Sequence, residues 1–179
     1  MRETRDIRPD YHCRPTAGSK AEWNTLLAVE AGAAATLMGL VFVAISINLG
    51  KIITISGLTG RAAETILQFL EVFFISTVAL IPRQPTRSVA IEFLIIGLVF
   101  WAVQIAGQIR YLRVRTGQPW SWFVSRAVAC QFATVPFCVA GASLLYDFSG
   151  AFYWLVLGFI FSFAAGVLNS WVLLVEILR

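Results

Sequence analysis

Five apolar stretches, each close to the length that crosses a bilayer, fill almost everything after residue 20. Several of them carry glutamate, glutamine or arginine where hydrocarbon belongs. A bilayer core about 30 Å thick takes roughly 20 helical residues. Inside lipid the backbone must bond to itself, so such stretches read as helices. Five spans and short connections use up 179 residues and leave no room for a separate soluble domain. The composition agrees: 58% of residues are hydrophobic, against about 45–50% for a soluble domain. The expected fold is all-α, a polytopic transmembrane helical bundle over 21–179 behind a flexible basic tail, 1–20. The first stretch is too long for a cleaved signal peptide and contains Glu30.

Breakers and caps set the expected limits. The first helix runs over about 22–50, with Trp23 as an interface anchor. Gly32, Thr36, Gly39, Val43, Ser46 and Gly50 recur on one side of it as a small-residue stripe. Such a stripe lets backbones approach closely in lipid, so it marks a packing face. The second helix is expected over 61–81, started after Gly60 and stopped by Pro82, and the third over 88–116. The fourth covers 119–145 with Pro136 near its middle, where proline tends to kink. The fifth covers 150–178.

The polar residues fall into register. Glu64, Gln68 and Glu71 are spaced i, i+4, i+7 and share a helix face, and Gln104 and Gln108 share another with Tyr111. Call side A the face where the first helix begins. Alternating helix direction then puts Glu64, Gln104, Gln108, Arg126, Asn169 and Glu176 in the B-side half. Glu71 and Gln131 fall near the midplane, and Glu30 and Glu92 on the A side. An uncompensated charge in hydrocarbon is expensive, so these groups are expected to face the bundle interior, water or a partner. Arg126 and Glu64 lie at one depth and are expected to pair. Glu30 and Glu92 have no basic residue at theirs. The intramembrane polar site is therefore Glu64, Gln68, Glu71, Arg126, Gln104 and Gln108. Gly32, Thr36, Gly39 and Ser46 are the helix-packing residues. The positive-inside rule barely discriminates the faces; Arg110, Arg113, Arg115 and Arg126 lean it toward a cytoplasmic side B.

Several chemistries are disfavoured. The net charge of +4 resides in the tail and loops, where arginines meet headgroups, and no basic stripe is interleaved with aromatics for nucleic acid. His12–Cys13 stands apart from further ligands, and Cys130 and Cys138 sit in apolar sequence as small hydrophobes. No metal site or cofactor is expected. The chain has no Ser/His/Asp set, no zinc-protease helix motif and no nucleotide loop, so it does not read as an enzyme.

Several runs have a family look: Gly39-Leu-Val-Phe-Val-Ala-Ile-Ser-Ile-Asn48, Gly60-Arg-Ala-Ala-Glu64, Leu80-Ile-Pro-Arg-Gln-Pro85, Tyr153-Trp154 and Asn169-Ser-Trp-Val-Leu-Leu-Val-Glu-Ile177. Together they resemble a group of small bacterial membrane proteins labelled modulators of the FtsH membrane protease. The resemblance covers about 22–179. It implies a multi-pass protein of the bacterial cytoplasmic membrane that regulates a membrane complex, and it assigns no site residues. Two readings follow. In the first, self-association lines the acidic face of the second helix around a common axis, giving a homo-oligomeric cation or proton pathway. In the alternative, the chain is a regulatory or assembly subunit of a larger membrane protein partner, such as a membrane protease, and the polar groups are internal glue.

Overall fold

The computed structural model of the chain describes residues 20–54, 57–114, 120–146, 148 and 150–178. The tail through Ser19, together with Arg115, Gly117, Pro119, Asp147 and Arg179, lies outside the described residues, as do the side chains of Lys20 and Glu176. Among the described residues six helices follow one another: α1 Lys20–Ile47, α2 Leu49–Thr54, α3 Leu58–Leu80, α4 Thr86–Val114, α5 Trp120–Leu145 and α6 Ala151–Leu178. All except α2 are long and apolar enough to cross a membrane. The chain is thus an all-α polytopic bundle.

The first connection differs from expectation. The first helix does not reach Gly50 but ends at Ile47. The Asn48 side chain donates to the Ala44 carbonyl at 2.9 Å, competing with the helix ladder. The short α2 then tucks Ile52 against Leu58, Ala62 and Leu173. Gly57 turns the chain into α3 with φ 90°, a left-handed conformation that a Cβ disfavours. A Cβ there would also lie 3.2 Å from the Tyr111 ring. The helix therefore starts before Gly60, not after it. Proline 136 lies inside α5, which continues through it.

Central α3 packs against α1, α4 and α6, while α5 bridges α4 and α6. On side A, Trp23 stacks on Phe152 at 5.5 Å and meets Tyr153 edge-on, fixing the start of α1 to the start of α6. The A-side half is filled by apolar side chains, among them Val72, Ile75, Phe93, Phe137, Leu155 and Phe159.

Helices associating in lipid depend on close packing, because lipid tails are as apolar as leucine. Four glycines provide it. A Cβ on Gly141 would fall 2.9 Å from the Leu94 backbone nitrogen, and one on Gly97 2.8 Å from Cys138 Sγ. Gly158 and Gly166 receive the rings of Phe137 and Phe69. The stripe on α1 is placed otherwise. Gly32, Thr36, Gly39, Val43, Ser46 and Gly50 are all exposed, and a Cβ on Gly32, Gly39 or Gly50 meets nothing within 4 Å. Thr36 and Ser46 bond back to the Gly32 and Phe42 carbonyls. Within the chain, α1 packs through the opposite side, where Leu27 and Ala34 are buried.

Two outcomes check this arrangement. In a background without the native cysteines, single cysteines at Thr86 and Phe148 should label from one membrane face and those at Lys51 and Arg113 from the other. Labelling of all four from one face is incompatible with five crossings. Gly141→Ala should destabilise the protein by about 1–3 kcal/mol, the usual cost of overpacking. Gly39→Ala should change stability by less than about 0.5 kcal/mol, both read as thermal unfolding in one detergent.

Candidate functional site: a polar ladder inside the bundle

Three helices contribute to the site because their polar residues repeat at helical spacing. On α3 these are Glu64, Gln68 and Glu71, and on α4 Gln104 and Gln108. On α5, Arg126 is followed at i+4 and i+8 by Cys130 and Thr134, so the three share a face. Helices α3 and α5 run in the same direction, so their residues match rung by rung, and α4 runs against both. Glu64, Gln68, Glu71, Gln104, Gln108, Cys130 and Thr134 are all buried.

The first rung lies toward side B. Arg126 Nε donates to Glu64 Oε2 at 2.6 Å, and the guanidinium carbon stands 5.0 Å from the Tyr111 ring centroid. The charge expected to pair at matched depth is thus paired, and the aromatic face adds a cation–π contact. In the second rung, Gln68 Nε2 approaches Cys130 Sγ at 3.7 Å. Gln108 sits beside the same thiol. The third rung is Glu71 Oε2, which accepts from Thr134 Oγ1 at 3.0 Å and from Gln104 Nε2 at 3.4 Å. Gln104 Nε2 also donates to Thr134 Oγ1 at 2.8 Å. Glu71 lies nine residues from the end of α3 at Leu80, about 14 Å at the helical rise, which is near mid-bilayer.

The ladder has more acceptors than donors. Gln68 Oε1, Glu71 Oε1 and Gln104 Oε1 are buried without a hydrogen-bond partner, and so is Gln108 Nε2. A buried polar group left unpaired costs about 1–3 kcal/mol. Three oxygens unanswered within one track make an environment suited to a species that donates: a proton, a water chain or a small cation.

Among the described residues, the ladder meets a cleft at its B-side end. A cleft of about 570 Å³ between α3 and α4 reaches Glu64, Gln104 and Arg126 from side B. Beyond Glu71 the track meets the apolar core of Val72, Ile75, Phe93 and Phe137. The site is a buried polar track that meets the cleft toward side B and, among the described residues, apolar packing toward side A.

All six residues assigned from sequence to the polar site are brought together. Their orientation differs from the common-axis arrangement: Glu64, Gln68 and Glu71 face α4 and α5 of their own chain, at 5%, 0% and 0% exposure. They cannot form acidic rings between copies. Gln131 does not join them; it accepts from Trp101 Nε1 on the outer surface. Glu92 is held at both oxygens by Gln84 Nε2 at 2.7 Å. Asn169 lies half-buried on α6. Cys130, read as a small hydrophobe, and Thr134 were the members missed. Counting i+4 and i+8 from Arg126 finds both.

The first rung should be strongly coupled. Arg126→Ala leaves a buried carboxylate and should cost about 3–5 kcal/mol. Adding Glu64→Gln should recover part of that loss, measured by thermal unfolding in detergent. Additive losses would mean that the two residues do not interact.

No family model, curated protein or solved structure matches the chain.

Proposed function

We propose that this chain is a non-enzymatic multi-pass protein of the bacterial cytoplasmic membrane that takes up and releases a proton at Glu71. The proton reaches Glu71 from one membrane face through the ladder. The observation that carries this reading is the third rung: a fully buried carboxylate near mid-bilayer, bonded only through Oε2 and only by neutral groups, with Oε1 open. A glutamate that served packing alone would be held at both oxygens, as Glu92 is. Added as the acid, the proton gives the third rung a donor where acceptors are in excess.

Permeation then requires more than the polar track. A proton or small cation that crosses must pass the apolar half occupied by Phe93, Phe137 and Phe159. Transport therefore proceeds by alternating exposure of Glu71, one chain at a time, and not through an open pore on an oligomer axis.

The regulatory reading has its own support. The outer face of α1 carries Gly32, Thr36, Gly39 and Ser46 in the open, a surface on which a second copy or a larger membrane partner can approach closely. In that reading the protonation state of Glu71 is sensed and passed to the partner, the role implied by the resemblance to FtsH modulators.

Infrared difference spectroscopy across a pH titration in proteoliposomes checks the shared claim. The wild type should show a protonated-carboxyl band that Glu71→Gln removes while unfolding temperature stays within a few degrees. An unchanged band in Glu71→Gln would refute proton exchange at this site. Flux assays then separate the readings. Proton, Na⁺ or K⁺ flux above that of empty liposomes, lost in Glu71→Gln, selects permeation. A titrating Glu71 without flux selects regulation.

A further inference from the structure

The cleft between α3 and α4 has a shape and charge of its own. It extends along α3 from Thr59 to Leu67 and along α4 from Tyr111 to Val103. That is eight residues on each helix, about 12 Å at 1.5 Å per residue. Its outer end lies at the B-side limits of the two spans, Leu58 and Arg113, which is headgroup depth. Val103, Ala106, Gly107 and Arg110 are exposed on the bundle surface, so the cleft opens sideways into the lipid. Its deep walls are apolar, formed by Ala63, Leu67, Val103 and Ala106. Gly107 leaves space: a Cβ there meets nothing within 4 Å.

Charge is confined to the upper part. Among the described residues, Arg110 and Arg126 line the cleft with one carboxylate, Glu64. Glu64 is taken by Arg126, which leaves an excess of one positive charge beside the headgroup layer. Deeper in, Gln104 lines the wall and is 98% buried, with Oε1 unpartnered. A surface with an apolar slot below a cationic rim complements one kind of neighbour in a bilayer, a lipid whose head is anionic.

We propose that the cleft is a binding site for an anionic phospholipid of the B-side leaflet. The phosphate lies against Arg110 at the rim, and an acyl chain occupies the slot beside Gly107, Leu67 and Val103. The proposal does not depend on proton exchange at Glu71. The two meet at Gln104, where a seated acyl chain and entering water occupy the same space.

The test is native mass spectrometry of protein released from nanodiscs of phosphatidylcholine with an equal fraction of phosphatidylglycerol. The wild type should retain one phosphatidylglycerol about fivefold over phosphatidylcholine, the factor that one arginine at an anionic surface contributes. Gly107→Phe fills the slot and should abolish the retained lipid. Arg110→Gln should remove the headgroup preference. Arg113→Gln, an exposed arginine that does not line the cleft, should behave as wild type. Unfolding temperatures in a neutral detergent verify that the variants are folded. Equal retention of the two lipids would overturn the proposal. So would retention by Gly107→Phe at the wild-type level, or a loss in Arg113→Gln as large as in Arg110→Gln. The carboxyl band of Glu71 serves as a separate readout. Its persistence with no retained lipid sinks the lipid site alone, and its absence with lipid retained sinks the proton reading alone.

Discussion

The ion pair between Arg126 and Glu64 is the interaction on which the arrangement of α3, α4 and α5 depends. A lone charge on either helix would have to be dragged toward the headgroups or neutralised. Joined at 2.6 Å with Tyr111 over the guanidinium, the two charges fix how α3 and α5 are rotated about their axes. Once that rotation is set, the next positions at helical spacing follow. Gln68 comes to Cys130 and Glu71 comes to Thr134, and α4 closes the third side through Gln104. The rungs are single consequences of one register, because side chains four residues apart on parallel helices advance together.

Packing and polarity divide the bundle into unlike halves. Toward side A, phenylalanine rings fill the space between helices, and Gly158 admits the Phe137 ring. Toward side B, the ladder and the cleft replace that filling, with several acceptor atoms left open. Dense apolar packing resists movement, whereas a track of partly answered hydrogen bonds can exchange partners with little loss. Glu71 is thereby joined to the polar track on side B and separated from side A by apolar packing.

Helix α1 occupies a different position from the rest. It touches the bundle mainly along α3 and is anchored at its A-side end by Trp23. Its buried positions are few, with Leu27 and Ala34 the most enclosed. Gly97 in α4 and Gly141 in α5 admit a neighbouring backbone and Gly158 and Gly166 in α6 admit a ring, while the glycines of α1 are open. A small residue permits close approach; which helix accepts the permission is decided by what the rest of the bundle has already buried.

The number of long helices, their limits apart from the end of α1 and the start of α3, and the six polar residues that converge were legible from the chain itself. The cost of bare backbone and bare charge in hydrocarbon acts on every residue locally, so apolar run length, proline and glycine breaks and i, i+4 spacing carry that information directly. The break at Asn48 and the short α2 were not legible, because they depend on an asparagine side chain competing for the Ala44 carbonyl and on a pocket for Ile52 formed by α3 and α6. Whether the acidic face of α3 looked to an oligomer axis or to its own neighbours was likewise open, since both bury the same residues. Only the tertiary structure decided it, by placing Cys130, Thr134 and Gln104 opposite. Periodicity determines which residues share a face of a helix. The rotation of that helix, and so what the face meets, is set by contacts between segments far apart in the chain, and no local pattern records them.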